Sequence, residues 1–249
     1  MFYLREALKN NLRKSAENPY LCPSNHVQLI MARKKEWKEG EMMLTFHLSK
    51  ITASQTPLMQ EWLTVESPHF DNVEQAIFDK SLQKAIKNMS GWSEEDLKMK
   101  FISHILELGN VVDGDNFVSF FDKALEEEDV EGHKLSVKAD FVVAKGMLDF
   151  MQRPYFHFQE YKPKKNPTGD PMAQLLEAFL IGQTKNRKEG IEIPLYGCEI
   201  VGKHWTFVTI EGKEYCVSKD YDSTEKDQLL HIIAVLRKFR EILETRLLK

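Results

Sequence analysis

The chain has 249 residues, 42% hydrophobic and 10% aromatic, enough to bury a sizeable core in one large domain or in a core with a smaller unit. A formal charge of -4 at pH 7 excludes a global basic field, so any nucleic-acid contact must be a local patch. The three cysteines, Cys22, Cys198 and Cys216, are odd in number and widely spaced, which excludes a disulfide framework and a zinc pattern and predicts a reducing, cytoplasmic setting.

The opening Met1-Phe2-Tyr3-Leu4-Arg5-Glu6 turns polar too early for a signal peptide. No apolar run approaches the ~20 residues of a membrane span, so no membrane partner is expected. Phe2 to Leu12 has helical spacing, interrupted afterwards by Asn18-Pro19 and Cys22-Pro23. Arg33-Lys34-Lys35 with Trp37 forms a small basic and aromatic cluster, read as a solvated helix face or, more sharply, as a nucleic-acid contact. Met42 to Lys87 reads as helical with breaks at Thr56-Pro57 and Ser67-Pro68, carrying Leu58, Trp62 and Val65 at i, i+4 and i+7. Residues 1–88 are therefore expected to form a mainly helical N-terminal region that packs against a core of residues 89–249.

Ser93 caps the clearest helix of the first half, with Asp96 three residues on and Glu94 and Glu95 in the first turn. At about 100° per residue, Leu97, Phe101, Ile102, Ile105, Leu106 and Leu108 fill one arc. Glu94 falls near the middle of that arc, Glu95 at its edge, and Gly109-Asn110 stops the helix. Burying a carboxylate there is costly unless a positive or hydrogen-bonding group meets it. Phe117 to Phe121 and Leu135 to Ala144 read as strands, with the acidic run Glu126-Glu127-Glu128-Asp129 as a solvated turn between them.

An aromatic strand comes next, Pro154-Tyr155-Phe156-His157-Phe158-Gln159-Glu160-Tyr161-Lys162. Asp170 then caps a helix from Pro171 to about Lys185. Leu195 to Val201, His204 to Ile210 and Lys213 to Val217 read as three antiparallel strands with turns at Gly202-Lys203 and Glu211-Gly212. Thr224 to Leu247 reads as a long amphipathic helix. The expected fold class is α/β (α+β): a mixed central sheet flanked by helices, with a helical N-terminal extension.

Residues two apart on a strand point the same way, so Glu160 and Lys162 share a face. If the Asp140 strand pairs beside them, two carboxylates and an ammonium converge. Two carboxylates suit a hard divalent cation such as Mg²⁺. A nearby lysine orients or deprotonates water and stabilises charge on a phosphate. A surface salt bridge is the bland alternative. His157 lies on the opposite strand face, as packing. Lys162, Lys164 and Lys165 make a basic edge, with Lys185 and Arg187 at the far end of the next helix; these suit either a solvated turn or phosphate contacts.

Glu94 on a helix, Asp140 on a strand, then Glu160-Tyr161-Lys162 and Gln174 on the next helix resembles the PD-(D/E)XK nuclease superfamily, whose restriction-endonuclease-like core runs helix-strand-strand-strand-helix-strand. Ser93 to Ile102 resembles the opening helix of the nuclease domain of type I restriction endonuclease motor subunits. From about Thr56 onward the chain resembles a bacterial group of uncharacterised PD-(D/E)XK-like proteins, on Lys138-Ala139-Asp140-Phe141, Phe158 to Lys162, Gly169-Asp170-Pro171, Pro194 to Gly197 and Trp205-Thr206-Phe207. Ala139 stands where the superfamily's name pattern has Pro.

The resemblance implies that Asp140 and Glu160 are metal ligands, with the Tyr161 carbonyl as a further ligand. It implies that Lys162 acts on water. Glu94 would reach the metal through water or hold Lys162, and Gln174 would be the helix residue near the site. The implied function is a Mg²⁺-dependent nuclease, with Mn²⁺ as substitute, that hydrolyses DNA phosphodiester bonds with metal-activated water. The alternative is an inactive nuclease-fold module that binds nucleic acid or a protein partner. A homodimer or other protein partner stays open.

Overall fold

The computed structural model describes residues 36–164 and 169–248. The expected helix at Phe2 to Leu12, Cys22, the basic triplet Arg33-Lys34-Lys35 and Lys165 lie outside the described residues. Trp37 is described: it is buried against Phe46, with ring centroids 5.5 Å apart.

Helix α1 (Glu39–Phe46) ends at His47, which takes a left-handed conformation at φ 54°. Strand β1 (Ser49–Ile51) comes next, inside a stretch expected to be helical throughout. It is three residues long and pairs in parallel with β7 (Glu214–Asp222), so it owes its strand state to that pairing rather than to local propensity. Helices α2 (Pro57–Leu63) and α3 (Asn72–Asn88) succeed it, α3 capped by Asp71, whose carboxylate accepts the Val73 and Glu74 N–H groups.

Helix α4, residues 94–108, is built from an α-helical turn Glu94–Leu97, a π-helical turn Lys98–Ile102 and an α-helical stretch Ser103–Leu108. The Ser93 cap forms as the sequence predicts, with the Asp96 N–H donated to Ser93 Oγ at 3.1 Å.

Strands β2 (Val118–Val130), β3 (His133–Met147) and β4 (Phe150–Lys162) form a long meander. The acidic run 126–129, expected to be a solvated turn, is strand. The turn comes later, at Glu131-Gly132, with positive φ at both residues. A register shift between Leu125 and Glu128 explains this: Glu126 and Glu127 are both exposed, while Glu128 is buried and held by Lys188 and by Lys185 at 3.9 Å. Lys185 is thereby committed to structure and is not a free phosphate contact.

Helix α5 (Pro171–Lys188) returns over the sheet. After it come β5 (Leu195–Val201), β6 (His204–Glu211), β7 and helix α6 (Lys226–Ile242), which continues into a π-helical turn, Leu243–Leu247. The seven-stranded sheet has the order β1-β7-β6-β5-β4-β3-β2, parallel at β1/β7 and β4/β5 and antiparallel elsewhere. It is a mixed sheet flanked by helices, as the sequence predicts.

Two apolar layers cover it. On one face α2, α3, α4 and α6 pack on Phe141, Phe156, Tyr161, Tyr196 and Trp205. On the other, α1 and α5 pack on Ala139, Val142, Phe158, Val208 and Tyr215. Asp170 ties α1 and α5 together: Oδ1 accepts the Ala173 N–H and Oδ2 accepts the Glu39 N–H, both at 3.0 Å. Among the described residues no helix is long and apolar enough to cross a membrane.

Candidate active site

Asp140 sits where β3 changes phase. Leu135, Val137 and Ala139 face the α5 layer; Phe141 and Val143 face the α4 layer. Strict alternation would put all five on one side, so the strand slips by one residue at Asp140. On the neighbouring β2, Asp122 lies between the pairs Phe121↔Phe141 and Lys123↔Ala139 with φ 50°, a kink at the same level. The β3/β4 ladder also ends here, its last pair being Phe141↔Gln159. Beyond that point Asp140 Oδ2 accepts the Tyr161 N–H at 2.7 Å, so a side chain replaces the next rung between the strands.

Glu160 and Lys162 share the α5 face of β4, and Lys162 Nζ lies 2.5 Å from Glu160 Oε1. Both are almost fully buried, 3% and 6% exposed, as is Asp140 at 7%. Burial first, and then the nearby Asp140 charge, push the Glu160 carboxyl up to about 7, against the opposing pull of Lys162. Burial also raises Asp140, although Lys98 and the Tyr161 N–H draw it down. Two carboxylates that stay raised beside their lysines are buried and short of positive charge.

Sequence reasoning misses Asp122, Lys138 and, above all, Lys98. Its ammonium lies 2.6 Å from Asp140 Oδ1, 2.9 Å from Glu94 Oε1 and 3.2 Å from Asp122 Oδ1. Burial alone would lower its pKa; the hydrogen bonds to Asp140 and Glu94 outweigh that and raise it. Glu94 is half-buried and reaches this ammonium, while Glu95 is exposed. Glu94 therefore holds Lys98, not Lys162. The i,i+4 spacing of Glu94 and Lys98 is visible in the sequence but reads there as an ordinary helix-surface pair. Only the sheet beneath brings Asp140 and Asp122 to the same ammonium.

Gln174 lies in the first turn of α5, beside the turn that leaves β4. Its Oε1 is buried and, among the described residues, without a hydrogen-bond partner, 3.3 Å from where a side chain on Gly169 would begin. Tyr161 meets Asp140 through its backbone only. Its ring turns to the opposite face, where the hydroxyl donates to Gln159 Oε1 at 2.5 Å. Gln159 Nε2 in turn donates to His157 Nε2 at 2.9 Å, which makes that nitrogen an acceptor and His157 neutral. His157 is core, as its strand parity predicts: its ring lies 4.7 Å from that of Phe239 and 6.2 Å from that of Trp62.

The donor chemistry suits a hard divalent ion. Glu94, Asp122, Asp140 and Glu160 present carboxylate oxygens beside the ammonium groups of Lys98, Lys138 and Lys162, and Gln174 Oε1 has no hydrogen-bond partner among the described residues. Among the described residues no three His, Cys, Asp or Glu side chains stand ready as a metal-ligand set. At this site the space between Glu94 and Asp140 holds the Lys98 ammonium instead. No protein-family model matches the chain, and no curated protein matches its sequence.

Proposed function

We propose that the chain is a Mg²⁺- or Mn²⁺-dependent nuclease of the PD-(D/E)XK type that hydrolyses phosphodiester bonds, with DNA as its substrate. The observation that carries this is the pair Asp140 and Glu160. They are buried on adjacent strands, both raised by that burial, with one lysine against each. Lys98 is shared with Glu94 and Asp122, so four carboxylates meet three ammonium groups, and burying carboxylates short of cations costs stability. A site that accepts that cost is a candidate for cation-assisted chemistry.

In this reading Asp140, Glu160 and the Tyr161 carbonyl would hold the ion. When bound, it supplies a Lewis acid that lowers the pKa of water and offsets charge on the phosphate. Lys162 orients the attacking water and places an ammonium beside the phosphate as its charge builds. Glu160 Oε1 fixes that buried ammonium in place, so little reorganisation is needed. Gln174 Oε1, without a protein partner among the described residues, accepts a hydrogen bond from water entering from the α5 side.

A second reading is favoured by one observation. Lys98 already bridges Glu94 and Asp140, which is what a module that kept the fold but lost turnover would do. A cleavage assay separates the two. The chain is incubated with single- and double-stranded DNA and RNA in Mg²⁺ or Mn²⁺, beside Asp140→Asn, Glu160→Gln and Lys162→Ala. Cleavage by the wild type only, with Lys162→Ala still binding Mn²⁺, is the expected result. Absence of both cleavage and ion binding in the wild type sinks the nuclease reading and leaves the binding module.

A further inference from the structure

Among the described residues, Lys98 is the group that touches three of the site's carboxylates at once. Its position is defined on several sides. Its Nζ lies over the Tyr161 ring, 5.9 Å from the ring centre. The inner carboxylate, Asp140, is 9% exposed at its side chain; the outer one, Asp122, is 52% exposed. Lys98 is also the first residue of the π-helical turn, a local widening of the helix that alters where side chains of this turn project.

We infer that Lys98 is the counter-cation that a divalent ion must displace from Asp140, and that Asp122 is the resting place it moves to. This rests on the metal-dependent reading above. An ammonium 2.6 Å from Asp140 Oδ1 and a divalent ion bound to the same oxygen repel each other at short range, so each weakens the hold of the other. The exchange needs no helix movement. The ammonium is already within hydrogen-bonding distance of Asp122, so rotation about the end of its side chain releases Asp140 while one ion pair is kept. With the ion gone, Lys98 returns and keeps the buried carboxylate paired. Lys98 is therefore a positioning residue, and the same contact that resembles a dead site is a competitor for the ion.

A purely structural lysine and a competing one predict opposite signs. Mn²⁺ affinity is measured by calorimetric titration of the full chain, for wild type, Lys98→Met, Lys98→Arg, Asp122→Asn and Asp140→Asn. Met keeps an unbranched apolar side chain of similar length and removes the charge, so Lys98→Met is expected to bind Mn²⁺ about tenfold more tightly, the size of a modest buried ion-pair competition. Its melting temperature falls without metal, because two carboxylates lose their partner, and the gap narrows when Mn²⁺ is added. Lys98→Arg keeps a cation and is not expected to gain affinity.

Asp122→Asn tolerates the left-handed backbone and leaves Lys98 without its outer partner, so it is expected to weaken Mn²⁺ binding by about two- to fivefold, in line with a half-exposed ion pair. Equal or weaker binding by Lys98→Met overturns the inference. If that variant does not fold, Asp122→Asn decides it, and unchanged or tighter binding there overturns it. Loss of binding in Asp140→Asn together with an unmoved Lys98→Met rejects the competition and keeps the metal site. Absence of Mn²⁺ binding in both wild type and Lys98→Met rejects both.

Discussion

At the level of single residues, the site is built from groups whose charge is decided by burial. Asp140 and Glu160 are pushed up and Lys98 is held protonated by its partners. On the other face of the same strand as Glu160, burial pushes the His157 imidazole down to about 3. A base whose folded pKa lies below its unfolded value of about 6.5 is neutral in the fold and charged in the unfolded chain between those two values. The unfolded state then binds the extra proton, so stability is complete above about pH 6.5 and is lost as pH falls below it. We expect this one residue to cost about 3 kcal/mol by about pH 4. The check is the slope of unfolding free energy between neutral pH and about pH 4, for wild type and His157→Phe. The variant should show a shallower slope, and an unchanged slope would mean His157 is not the titrating group.

Among the elements, helix α5 approaches the sheet closely because β5 carries Gly197. A Cβ there would stand 2.6 Å from the Phe179 ring and 2.8 Å from the Phe158 carbonyl oxygen. The ring can shift; the backbone oxygen of the neighbouring strand β4 cannot do so without moving the strand that carries Glu160. Gly197→Ala is therefore expected to destabilise by about 1–3 kcal/mol. Denaturant unfolding measures this, and a neutral result would show that the β4/β5 pair has slack. In the sequence Gly197 falls inside the strand Leu195 to Val201 and within a stretch that carries the family resemblance, but nothing local announces the helix pressed against it. The acidic run in β2 reads as a turn for a related reason. Four acids in a row look like a loop, yet one of them faces basic side chains on α5 that are distant in sequence.

For the molecule as a whole, the helices before residue 89 share a core with the later elements. Trp62 on α2 is fully buried; its Nε1 donates to the Val235 carbonyl of α6 at 2.9 Å, and its ring meets Tyr196 and Phe207 edge-on. Phe78 and Met59 join the same layer. Arg237 on α6 donates to the carbonyls of Leu108 and His69 and pairs with Glu74, binding α3, α4 and α6 together. A fragment of residues 89–249 would expose this apolar layer and strip β1 from the sheet edge. We expect it to be insoluble or to lack a cooperative melting transition. Trp62→Ala in the full chain should cost about 3–5 kcal/mol. A soluble fragment with a sharp transition would mean that the two parts fold separately.

Local chemistry is enough to encode part of this protein. Capping and periodicity locate the helix opened by Ser93, the helix opened by Asp170-Pro171 and the long helix near the C-terminus. Paired turns at Gly202 and Gly212 locate β5, β6 and β7. Period-two alternation places Glu160 with Lys162 and sends His157 to the other side. The remaining features depend on neighbours far apart in sequence, so they emerge only when the chain is packed. The phase slip at Asp140 arises from the kink at Asp122 on the adjacent strand and from the end of the β3/β4 ladder; no pattern within β3 announces it. Lys98 enters the site because α4 lies across the sheet just where Asp140 and Asp122 meet. An ammonium four residues after a glutamate has two meanings on a helix, and only the surface it is pressed against selects between them.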